Sequence, residues 1–181
     1  TEQQINQFVT STDPNKFEAT VDRLLSTKNY GERWASVWLD LARYSDSRGF
    51  ERDKHRDSWP YRDWLIRAFN QNMPYDQFVI KQLAGDLLPD PELDDVVATT
   101  FNRLTPANDE AGTDDEEYRT YAVMDRNATT WIALNGITMN CVQCHAHPYD
   151  PITHTEYFNS LAFFNTSEDA DRRDDSPNLK F

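Results

Sequence analysis

A chain of 181 residues, 38% hydrophobic and 27% charged, has the length for one domain with a genuine core. Its mean hydropathy of −0.80 describes a polar surface, and no apolar run approaches the ~20 residues that a bilayer span needs. A formal charge of −13 argues against nucleic acid as a partner, because phosphate binding needs clustered Lys and Arg.

The signals in chain order are helical. Asp13 and Pro14 read as N-cap and first helical position, and Phe17, Val21, Leu24 and Leu25 then form one apolar face. In "GERWASVWLDLARYS", Trp34, Val37, Trp38, Leu41 and Tyr44 recur at helical spacing. "SRGFERDKHRDSW" has no such period and carries Gly49, so it reads as a loop. Tyr61, Trp64, Leu65 and Ala68 share a face of the next helix. Pro74 opens another helix through Leu83, which Gly85 and Pro89 end, and a further helix begins at Pro91. A long helix is expected from Asp115 to Asn135, burying Tyr118, Tyr121, Ala122, Met124, Trp131 and Leu134, with Gly136 as its break. The last helix follows Pro151 and turns Tyr157, Leu161 and Phe164 inward. With no repeat and no hairpin signal, the expectation is an all-α domain over residues 1–165. Residues 166–181 read as a charged tail or linker to a further domain. A chain that begins at Thr1 also reads as a mature product or a piece of something longer.

The chemistry is concentrated in "MNCVQCHAHPYDPI", Met139 to Ile152, which holds both cysteines and two of the four histidines. Cys141-Val142-Gln143-Cys144-His145 is C-x-x-C-H, the pattern of c-type haem attachment. Two thiols three residues apart on a helical turn can join the two vinyl groups of one porphyrin, and the adjacent His then supplies the proximal iron ligand. The rivals fit less well. A zinc knot from Cys141, Cys144, His145 and His147 would crowd four ligands into seven residues, where structural zinc draws on separated segments. A redox dithiol belongs with a βαβ pattern that is missing here. One covalent haem c implies export to the periplasm or beyond, because bacterial cytochromes receive haem outside the cytoplasm.

Five blocks extend the signal: "YGERWASVWLDLARYSDS", "WPYRDWLIRAFNQNMPYDQFVIKQLAGDLLP", "NDEAGTDDEEYR", "MDRNATTWIALNGITMNCVQCHAHPYDPI" and "EYFNSLAFFN". In their order the chain resembles the second planctomycete-type cytochrome c domain family, long catalogued as a domain of unknown function, from about Asn29 to Asn165. The resemblance implies a helical haem c domain within larger exported proteins, often followed by a further domain. It also implies Cys141 and Cys144 as attachment residues and His145 as proximal ligand.

The second axial ligand is less evident. Met139 is too close to Cys141 to cross the ring. His147 lies on the proximal side and reads better as a satisfied turn histidine, with a second metal shared with Asp150 as the lesser reading. Met124, on the long helix, is the distal candidate, although a methionine there also serves as ordinary core. Met73, His55 and His154 have no support from spacing. His147, Tyr149 and Asp150 fall in the family's pattern, which implies near-haem roles and leaves room for an open iron.

Elsewhere, Asp109, Glu110, Asp114 and Asp115 offer oxygens to calcium, but acids before a helix more commonly cap it. Arg119, Arg126, Arg62 and Arg103 are candidates to pair propionates. Asn127 opens a glycosylation sequon inside a helix, where it reads as incidental. The expected function is electron transfer as a monohaem domain, with a redox protein or an adjoining domain as partner. The alternatives are a haem enzyme or gas sensor with an open iron, and a binding module with structural haem.

Overall fold

The computed structural model describes residues 1–108 and 110–166. Among them the chain forms α1 (Glu2–Thr10), α2 (Lys16–Leu25), α3 (Lys28–Leu41), α4 (Trp59–Asn70), α5 (Tyr75–Ala84), α6 (Leu93–Ala98), α7 (Asp115–Asn135) and α8 (His154–Asn165). Three 3-10 turns, Gly85–Leu87, Thr99–Arg103 and Met139–Gln143, link them. The described residues hold no strand; Ser47 and His55 make one isolated antiparallel bridge across the loop after α3. The fold is all-α. Of the expected tail, residues 167–181 lie outside the described residues, as does Asp109 of the acidic loop.

The main core is built by α3, α4, α5 and α6. Helix α4 turns Tyr61, Trp64, Leu65 and Ala68 inward, all four as their spacing predicts. Trp64 stacks on Phe78 of α5 at 5.6 Å between centroids, and Trp38 of α3 meets Phe78 edge-on at 4.8 Å. Such pairs add about 0.5–1.5 kcal/mol each beyond the area they bury. The polar tips within this core bond to one another. Trp38 Nε1 donates to Gln82 Oε1 at 2.8 Å, and Tyr61 Oη donates to the same oxygen at 2.6 Å. Gln82 Nε2 donates in turn to the Phe78 carbonyl at 3.1 Å. Burial pushes the Tyr61 phenol far above its ordinary range, so it remains a donor.

Two glycines set how closely the helices approach. A Cβ at Gly85 would stand 2.1 Å from the Asp95 carbonyl oxygen, and one at Gly31 would stand 2.5 Å from the Ile66 carbonyl oxygen. Both positions therefore admit no side chain.

The structure corrects several sequence expectations. Asp13 and Pro14 form a turn, in which Asp13 Oδ1 accepts from the Asn15 N–H at 2.9 Å, and α2 starts at Lys16. Phe17, Val21, Leu24 and Leu25 do share a face, but it is exposed. On α3 the buried stripe is Gly31, Ala35 and Trp38, continued by Ala42, while Trp34, Val37 and Leu41 are partly exposed. Small residues win there because α4 approaches too closely for large ones. Helix α6 begins at Leu93 rather than Pro91 and gives way to a 3-10 turn at Thr99. Helix α1 has no counterpart in the sequence reading.

Helix α7 runs from Asp115 to Asn135 as expected, capped by Asp114, whose Oδ1 accepts from the N–H groups of Glu116 and Glu117 at 2.9 and 3.1 Å. The acidic stretch thus serves as a helix start. The buried face of α7 is Ala122, Val123, Arg126, Asn127 and Thr129, more polar than expected, and Tyr121 is exposed. A hydrogen-bond chain explains part of this polarity. Trp131 Nε1 donates to Ser160 Oγ at 2.7 Å, and Ser160 Oγ donates to Asn127 Oδ1 at 2.6 Å, pinning α8 against α7. Asn127 is completely buried, so its sequon is incidental. Arg119 pairs with Glu116 and Asn165, and Arg62 pairs with Asp63.

Candidate functional site

The site grows out of the end of α7. Gly136 takes φ +68, a left-handed cap that a glycine adopts without strain, and reverses the chain. The next turn, Met139–Gln143, is a 3-10 helix. Three residues per turn place i and i+3 on one side. Met139 and Val142 therefore share the inward side, where both are buried against Tyr157 of α8. Cys141, within the turn, and Cys144, the residue that caps it, are both exposed and outside any disulfide. One short turn thus anchors itself with two apolar residues and presents two thiols to solvent.

The three histidines around this turn differ in a way that their hydrogen bonds decide. His145 is exposed, with Nδ1 2.6 Å from the Ala146 carbonyl oxygen. A carbonyl only accepts, so Nδ1 carries the proton and Nε2 keeps a lone pair for a metal. His147 is the reverse case. Its side chain is 7% exposed, and its Nδ1 accepts from the N–H groups of Asp150 at 2.9 Å and Tyr149 at 3.3 Å. Those donors claim the Nδ1 lone pair and leave the proton on Nε2. The Asp150 carboxylate stands 3.2 Å from the same nitrogen, and the turn is held by the two backbone N–H groups. His147 N–H also donates to the Ile152 carbonyl at 2.8 Å, so this residue ties the loop after the motif together.

His154 had no support from spacing, yet the structure brings it to the motif. It sits in the first turn of α8, whose cap Thr153 accepts from the Glu156 N–H at 3.2 Å. Its Nδ1 lies 2.9 Å from the carbonyl oxygen of Val142, between the two cysteines, and its ring meets Phe158 edge-on at 4.9 Å. No periodicity could have shown this, because the contact joins a 3-10 turn to a helix twelve residues on.

The other expected residues fall as follows. Tyr149 is 92% exposed, and Asp150 is half-exposed beside His147. Met139 is core. Met124 is half-buried on α7 and is not among the residues that pack on the Met139–Val142–Tyr157 cluster. Among the described residues no three Cys, His, Asp or Glu side chains converge, which a zinc knot would require. Tyr157 Oη is buried with no hydrogen-bond partner among the described residues, and burial raises its phenol above the ordinary range.

The family model described as PSCyt2, a protein of unknown function (DUF1549), matches residues 1–169. The chain belongs to this family. The PSCyt2 name is consistent with the cytochrome-type resemblance carried by the five sequence blocks. Neither a curated protein nor a solved structure matches this PSCyt2 chain. No helix among its described residues is long and apolar enough to cross a membrane.

Proposed function

We propose that this chain carries one covalently attached haem c on Cys141 and Cys144, with His145 Nε2 as proximal iron ligand, and serves as an electron relay. The carrying observation is that Cys141, in the 3-10 turn, and Cys144, which caps it, are both exposed and are followed by a histidine whose Nδ1 proton is already committed to a carbonyl. Bound there, the group supplies one-electron transfer by cycling its iron between ferrous and ferric states.

The rest is the work of the chain's own residues. Cys141 and Cys144 would hold the group by thioether bonds, each S–H adding across one vinyl double bond, sulfur to one carbon and hydrogen to the other, which needs no oxidant. The Ala146 carbonyl orients the His145 ring and strengthens Nε2 as a donor. His147 and Asp150 hold the following turn, and His154 holds the carbonyl of Val142 between the two attachment points. The buried Met139 and Val142 keep the turn from rotating its thiols inward. Such attachment would go with an exported domain whose partner is a redox protein or an adjoining domain. Its charge of −13 suits a basic partner face.

A second reading, an open iron that binds small ligands, draws support from His147 and Met139. His147 uses its Nδ1 lone pair in the turn, and Met139 is packed in the core. The oxidised and reduced absorption spectra of the domain, expressed with haem-maturation machinery, separate the readings. A low-spin spectrum indifferent to carbon monoxide supports the relay, and a high-spin ferrous form that binds carbon monoxide supports the open iron. A colourless protein sinks both.

A further inference from the structure

Between α7 and α8, next to the motif, lies an open depression of about 310 Å³ lined by Trp131, Met139, Ile152, Glu156, Ser160 and Phe163 among others. We propose that this depression seats one apolar edge of the macrocycle tethered at Cys141 and Cys144; this rests on the attachment reading above.

Four observations carry it. The depression borders the attachment turn, because Met139 lines it from the same 3-10 turn that holds Cys141. Ile152, on its other side, accepts the His147 N–H, so the segment following His145 also borders it. Its lining is mostly apolar, and the one carboxylate there, Glu156, is bonded to Thr153 N and Oγ1 at 2.7 and 2.8 Å in the α8 cap. Trp131 is held in place by its bond to Ser160, so the indole is preorganised rather than mobile.

The packing beside it is also incomplete. The small core buries only Met139, Val142 and Tyr157 fully, while Phe163 is 82% exposed at the edge of the depression. A flat apolar group tethered at Cys141 and Cys144 and lying over the depression would cover that surface. The volume lies at the low end of ligand pockets, roughly 300–1,000 Å³, which suits an edge of a macrocycle rather than the whole.

The test uses the haem-loaded domain, Phe163→Ser, Phe163→Trp, and Leu87→Ser as an exposed apolar control remote in sequence from the depression. The readout is circular dichroism in the Soret band, which reports asymmetric packing around the macrocycle. Phe163→Ser should retain covalent haem while its band falls to roughly half or less, since an aromatic wall is lost. Phe163→Trp should restore the band, and Leu87→Ser should leave it unchanged. An unchanged band in Phe163→Ser, with haem still covalently attached, overturns the seat and leaves the attachment reading standing. A change in sedimentation without a change in the band makes the occupant a second copy of the chain, which also overturns the seat. Failure of the unmutated chain to take haem removes the attachment reading and the seat with it.

Discussion

The two cores of this domain are built to different standards. The main core, around Trp38, Tyr61, Trp64 and Phe78, is sealed, and its indole, phenol and amide groups hydrogen-bond one another. The small core beneath the cysteines buries three residues, leaves the Tyr157 hydroxyl without a partner, and borders an exposed Phe163. The difference teaches where stability and function reside. A sealed core holds the fold alone, whereas the open one lies beside two exposed thiols, where the proposed haem would attach.

That contrast can be broken by mutation. The largest effect belongs to the sealed core: Trp64→Ala should cost about 4 kcal/mol in urea unfolding of the haem-free protein, with a cavity left against Tyr61 and Phe78. A loss near zero would show that this core is not what holds the fold. Gln82→Leu should cost about 2 kcal/mol, because Tyr61 Oη loses its acceptor and Trp38 Nε1 keeps only its 3.1 Å bond to Tyr61 Oη. The small core should respond with the opposite sign. Tyr157→Phe removes a buried hydroxyl that has no partner, so the haem-free protein should gain about 1 kcal/mol. A loss of that size would mean the hydroxyl is bonded in solution and the two cores are alike.

Much of this arrangement was legible in the chain. The α4 face was readable because Tyr61, Trp64, Leu65 and Ala68 keep helical period and all find cover. The α3 face misled because hydropathy weighs Trp34, Val37 and Leu41, whereas close helix approach selects Gly31, Ala35 and Ala42. Cys141, Cys144 and His145 stood out by type and spacing. What distinguishes His145 from His147 did not, since it depends on which backbone groups the turn aims at each ring. The anchoring of Val142 by His154 was hidden for the same reason.

The smallest expected effect is a slope with pH. The hydrogen bond from Lys81, helped by the Glu92 N–H, holds the Asp95 carboxyl below its ordinary value of 3.8. A lowered folded value means that this stabilisation is full above the unfolded carboxylate's pKa, erodes as pH falls past it, and is gone below the folded value. Urea midpoints should therefore fall more steeply on the acid side in the unmutated chain than in Asp95→Asn. Parallel curves would remove this pair from the main core's account.

The central claim is tested most directly by the mass of the denatured chain after expression with haem-maturation machinery. The account predicts a mass increase of one haem, retained through unfolding and extraction and absent from the Cys141→Ser, Cys144→Ser double variant. An unmodified mass in the parent chain, with the maturation machinery active on a control cytochrome, would contradict it.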